Sequence, residues 1–166
     1  SWDEVNPSIK AAMSKSDLTV HCGDFTKMDV VEGVLKIANQ AILVHGNSDP
    51  IDVRRALPAT EMIDIGDLRI GVTHPAWGGP PFELEQLLGD FDVPVDVVLF
   101  GHLHEVHNVT RSGVLFISPG QAYRSFMMDS TLAEITVDGL AVRAEIKIIE
   151  SAEEKKKLSR RYQNDS

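Results

Sequence analysis

Apolar side chains in this chain of 166 residues fall into short runs, most of them stopped by glycine beside a polar residue. Asn6-Pro7 opens the first element, because proline is tolerated in a helix's first turn. Ile9, Ala12 and Met13 recur on one face, which predicts a helix ending near Ser16. Leu18 to Cys22 then predicts a short strand stopped by Gly23-Asp24. Thr26 and Asp29 have the spacing of a capping box ahead of Val30, Val31, Val34, Leu35 and Ala38, a second helix. Ala41 to His45 repeats the strand and ends at Gly46-Asn47, and Ile51 to Ala56 predicts a short helix that Pro58 closes.

Glu61 to Ile65 and Leu68 to Thr73 flank Gly66-Asp67, the pattern of a hairpin whose second arm delivers His74. Phe82, Leu84, Leu87 and Leu88 have helical spacing. Val95 to Phe100 is nearly all apolar, as a strand buried on both faces would be, and ends at Gly101-His102. Beyond His104 the runs Val106 to Thr110, Val114 to Ser118, Leu132 to Val137 and Val142 to Ile148 are separated by turns at Ser112-Gly113 and Asp138-Gly139, which predicts an antiparallel half. The expected class is α/β (α+β), one domain over 1–150. The charged stretch 151–166 reads as a marginal helix, with a capping box at Ser151 and Glu154, or as a tail.

A formal charge of −9 argues against a general grip on nucleic acid, which needs Lys and Arg to replace counterions. One cysteine, Cys22, excludes an internal disulfide and a cysteine-built zinc site, which points to a reducing, cytoplasmic compartment. No apolar run is long enough to span a membrane, so no membrane partner is expected.

Four of the predicted strands end in polar motifs: Gly23-Asp24, Gly46-Asn47, Thr73-His74 and Gly101 to His104. Loops at strand carboxyl ends converge on one edge of a sheet, so these motifs would bring together one carboxylate, one amide oxygen and three imidazoles. Such ligands suit manganese, iron or zinc better than magnesium or calcium. If Gly101 to His104 is extended, His102 and His104 point to one side and serve adjacent ions, with Asp24 as a bridge. Read singly, Asp24 could cap a helix, Asn47 form a turn and each histidine serve structure; their coincidence favours metal. His21, His45 and His107 are expected in packing or hydrogen-bonding roles, Cys22 as a small apolar residue and Asp49-Pro50 as a turn. Trp77 to Pro81 is expected at the rim of the site, with a mobile lid or a partner contact as the alternatives.

The series GD, GNxD, TH and GHxH, followed by Ser118-Pro119-Gly120, resembles the calcineurin-like metallophosphoesterases, and among them the small YfcE-type phosphodiesterases. The likeness runs from about Asp17 to Ile149. It implies a four-layer β-sandwich flanked by helices and two divalent ions, manganese first, with iron, zinc or nickel as alternatives. Asp24 would bridge the ions, Asn47 and His74 would bind one of them, and His102 and His104 would be shared between the two. Asn47 would also face the substrate, a small phosphate ester or nucleotide attacked by a metal-activated hydroxide. Self-association is left open.

Three departures bear on this. The family's opening strand, ending in Asp-x-His, has no match in Ser1 to Asp17, so the first strand is expected to be missing here and about a dozen further residues to precede Ser1 in the natural chain. Ser48 stands where many relatives have a histidine that protonates the leaving group. The third motif reads His74-Pro75-Ala76 rather than His-Gly-His. The missing Asp-x-His and Ser48 keep a second expectation alive, a catalytically impaired protein-interaction scaffold like the retromer subunit of similar fold.

Overall fold

The computed structural model describes residues 1–75, 83–123, 125 and 127–154. Trp77 to Pro81, Phe82, Ala76 and the tail beyond Glu154, all of which figure in the expectations above, lie outside the described residues.

Helix α1 (Pro7–Lys15) begins as its sequence predicts: the Asn6 side chain accepts the Ser8 amide at 2.8 Å and Pro7 takes a position where its missing N–H costs nothing. Strand β1 (Thr19–Cys22) leads to α2 (Met28–Ile37), and β2 (Ala41–Val44) leads to α3 (Ile51–Ala56). The capping box expected at Thr26 and Asp29 does not form. Helix α2 starts at Met28 without a side-chain cap, because both residues have distant partners. The Thr26 amide donates to Asp49 and the Asp29 carboxylate accepts the Trp2 amide.

The hairpin β3 (Thr60–Ile65) and β4 (Leu68–Thr73) forms as predicted. Leu84–Asp90 is helical but winds as a 3-10 helix. It is followed by β5 (Val97–Phe100), β6 (Val106–Arg111), β7 (Val114–Pro119), β8 (Ser130–Asp138) and β9 (Ala141–Glu150). The second half is antiparallel within its hairpins, β6 with β7 and β8 with β9, yet β7 lies parallel to β5. The five-stranded sheet runs β3-β4-β5-β7-β6, while β1-β2 and β8-β9 each form a two-stranded sheet. Among the described residues, β2 is the only strand paired with β1. The Ala152 amide, at the start of the helical residues 152–154, donates to Asp129 at 2.7 Å.

Side-chain alternation sets the layers. In β5, Val97 and Leu99 enter one core with Val44, Ile70 and Val72, whereas Val98 and Phe100 enter another with Leu87 and Phe116. Both faces of β5 are therefore dry, as its unbroken apolar text predicted, and each side chain so buried contributes roughly 1.5–3 kcal/mol. The first core also takes Val20 and Ile42 from β1 and β2, and Ile135 and Val142 from β8 and β9. Both small sheets thus pack on one face of the large one. Leu43 points the other way, under α2 and α3, with Phe25, Val34 and Val53. Helices, small sheets, large sheet and 3-10 helix make four layers, the architecture the motifs implied.

Candidate metal centre

Parallel pairing decides where the motifs lie. Strands β4 and β5 run together with Thr73 opposite Phe100, so His74 and the Gly101-His102 turn leave the sheet at the same end. Strands β1 and β2 pair Cys22 with Val44, which sends Gly23-Asp24 and Gly46-Asn47 off together as well. The two ends meet across the sandwich, where the Cys22 carbonyl lies 2.6 Å from His74 Nδ1.

That contact determines the chemistry of His74. A carbonyl oxygen only accepts, so Nδ1 carries the ring proton and the neutral ring presents a lone pair at Nε2. Burial holds the imidazole below its ordinary pKa, against the opposing pull of the Cys22 carbonyl and the Asp24 carboxylate, so the neutral form prevails. Facing Nε2 are Asn47 Oδ1 at 3.0 Å and Asp24 Oδ2 at 3.4 Å. His102 Nδ1 reaches the same Asn47 oxygen at 2.9 Å. An imidazole nitrogen, an amide oxygen and a carboxylate oxygen thus converge around Nε2, a donor set that a shared cation would suit.

Local geometry holds the set. Asp24 Oδ1 accepts the Ser48 amide at 2.8 Å, which leaves Oδ2 turned toward His74. Gly46 passes so close to Asp24 that a methyl group there would run into the Asp24 carboxylate and come within 2.6 Å of its amide nitrogen. Gly23 has a φ of 91°, a conformation glycine adopts freely, and a Cβ on it would lie 2.6 Å from His74 Nδ1.

His104 is placed differently. Gly101 to His104 is a turn, with His102 and His104 at φ of 80° and 59° rather than extended, so the expected same-side projection of the two rings fails. The His104 ring stands edge-on to Tyr123, centroids 5.7 Å apart, beside a groove of about 500 Å³ lined also by Met128, Asp129, Thr131 and Ile148. It makes no hydrogen bond to the other four residues. Among the described residues no group of three or more His, Cys, Asp and Glu side chains is gathered to hold a metal ion. The convergence depends on the Asn47 amide oxygen, which joins His74 to His102. Donor type and arrangement of Asp24, Asn47, His74 and His102 fit one divalent ion of the imidazole-binding kind.

The remaining histidines make none of these contacts. His21 stacks on Phe25 with centroids 3.7 Å apart, and burial pushes its pKa down to about 4 despite the nearby Asp49 charge. His107 packs near Phe100, and Nδ1 of His45 is buried without a hydrogen bond. Burial raises the Cys22 thiol to about 12, in keeping with an inert apolar role. The residue that motif reasoning undervalued is Asp49, taken as a turn former. Its GNxD position was visible, but the cross-loop bonds it makes were not.

Comparison with known proteins agrees with this architecture. The model of the calcineurin-like phosphoesterase superfamily domain matches residues 3–139. A probable metallophosphoesterase of Methanocaldococcus jannaschii is 30% identical over 118 residues, 70% of this chain and 59% of its own length. A phosphodiesterase of the same organism is 26% identical over 131 residues, 69% of this chain and 76% of that one. The solved vacuolar protein sorting 29 structure of Chaetomium thermophilum superposes with a TM-score of 0.69 at 20% identity, covering 89% of this chain and 90% of that one, a likeness of fold. The chain thus spans about three-fifths of the first curated relative it matches. By its family model and its nearest motifs, this chain belongs to the calcineurin-like phosphoesterase superfamily.

Proposed function

We propose that this domain hydrolyses phosphate esters, phosphodiesters foremost, with divalent cations held at the ends of β1, β2, β4 and β5. The observation that carries the proposal is the convergence of His74 Nε2 and His102 Nδ1 on the Asn47 side-chain oxygen, with Asp24 Oδ2 3.4 Å from His74 Nε2. One ion would be held by Asp24, Asn47, His74 and His102; a second would need the His104 ring to turn from Tyr123 toward Asp24. Divalent ions in such a pair activate water and polarise a phosphoryl oxygen, and manganese suits these ligands. The chain's own residues orient that chemistry. The Cys22 carbonyl keeps the His74 proton on Nδ1, and the Ser48 amide fixes the Asp24 carboxylate. Exposed Asn47 stands at the solvent side of the set, where it would also meet substrate. The relatedness to a phosphodiesterase supports the diester preference. A cytoplasmic setting with small phosphate esters or nucleotides as substrates completes the proposal.

A second reading is a catalytically impaired scaffold, favoured by His104 turning to Tyr123 and by Ser48 in place of an acid. Hydrolysis of bis(p-nitrophenyl) phosphate, measured with manganese titrated into metal-depleted protein, separates the two. The hydrolase reading expects manganese-dependent turnover that Asp24→Ala abolishes. Turnover above about a tenth of wild type in that variant would remove the bridging role, and manganese binding without turnover would leave the scaffold.

A further inference from the structure

Asp49 is 3% exposed, and its two carboxylate oxygens accept three backbone N–H bonds. Oδ2 accepts from Asp24 at 3.0 Å and Gly46 at 2.7 Å, and Oδ1 accepts from Thr26 at 2.7 Å. Two of these bonds cross 25 and 23 residues of sequence, so they tie the turn after β1 to the turn after β2. Beyond Cys22 and Val44 the β ladder has ended, and it no longer holds those turns in register. Asp24 and Thr26 carry φ of 62° and 64°, conformations that non-glycine residues keep only where the surroundings over-determine them. Arg54 holds the same segment from the solvent side, its Nε donating to the Asp49 carbonyl at 2.8 Å and its Nη2 to the Asn47 carbonyl.

We propose that Asp49 and Arg54 are positioning residues that clamp the two turns, so that the Asp24 and Asn47 oxygens are held in position before a divalent cation binds. This rests on the metal-binding reading above. Neither side chain is itself a ligand here, since both Asp49 oxygens are engaged with the backbone.

The test uses the whole chain in two arms. Amide hydrogen exchange of metal-free protein should show Asp24, Thr26 and Gly46 exchanging about tenfold faster or more in Asp49→Asn, whose amide turns an N–H toward a backbone donor, with the β5 amides unchanged. Manganese affinity by calorimetry should fall roughly ten- to a hundredfold in Asp49→Asn and roughly tenfold in Arg54→Gln. Leu87→Ala, a core variant on the far side of the large sheet, controls for lost stability and should keep its affinity within about twofold. Wild-type exchange at the three amides in Asp49→Asn overturns the clamp. Affinity loss no greater than that of Leu87→Ala overturns the positioning role. A wild-type protein that binds no manganese, with exchange still accelerated in Asp49→Asn, sinks the metal reading and reduces Asp49 to a structural residue. Should Asp49→Asn fail to fold, Arg54→Gln decides, because Arg54 is exposed; unchanged affinity there overturns the proposal.

Discussion

Cys22 and His74 lie 52 residues apart in the chain, yet the Cys22 carbonyl oxygen accepts the Nδ1 proton of His74 at 2.6 Å. One backbone group at the end of β1 thereby selects the tautomer of a side chain at the end of β4, and it leaves Nε2 aimed at Asp24 and Asn47. His74→Gln should consequently lower manganese affinity by at least about tenfold, while the metal-free fold keeps its far-ultraviolet dichroism. Calorimetric titration checks this, and affinity equal to wild type would remove His74 from the ligand set.

Gly46→Ala should destabilise the protein by about 1–3 kcal/mol, because the added methyl meets both the Asp24 carboxylate and the Asp24 backbone. Gly89→Ala, where nothing lies within 4 Å, should stay within about 1 kcal/mol of wild type. Urea unfolding of both variants measures the contrast. Equal midpoints would show that the two turns do not approach as closely as described.

Stability should depend on the protonation of His21. Its pKa falls from 6.5 toward about 4 on folding, chiefly through burial, with the Asp49 charge opposing. The unfolded chain therefore binds the proton first as pH falls. The His21 contribution is fully present above pH 6.5 and is lost as pH drops toward 4, amounting to about 3 kcal/mol. In His21→Phe, which can keep the stacking on Phe25, the difference from wild type should change with that sign across this window. Parallel stability curves for the two proteins would refute the assignment.

Ser48→His should restore a proton donor beside Asn47. Under the proposed hydrolase function, turnover of alkyl phosphodiesters should rise by about two orders of magnitude. The gain should be smaller for p-nitrophenyl esters, whose leaving group needs less protonation. An equal gain with both leaving groups would argue against acid assistance.

Much of the architecture was legible beforehand because it is written in local patterns. Asn6-Pro7 announces α1, Gly66-Asp67 the hairpin, and the unbroken apolar run into Phe100 a strand buried on both faces. The four strand-end motifs likewise predicted a gathering of Asp24, Asn47, His74, His102 and His104, of which the first four come into contact while His104 faces Tyr123. Where reading the sequence failed, a distant partner intervened. Thr26 and Asp29 looked like a capping pair, but Asp49 and the Trp2 amide claimed them.

By itself, then, the sequence determined the order and type of the elements and the residue types at each strand end, since these follow from side-chain periodicity and turn chemistry within a few residues. Only the tertiary structure decided which donors share a centre. The left-handed turn at His102 and His104 sends one ring to Asn47 and the other to Tyr123, a choice set by packing between remote segments. It likewise gave Asp49 its partners, because hydrogen bonds spanning more than twenty residues depend on how the turns meet, which no local pattern encodes.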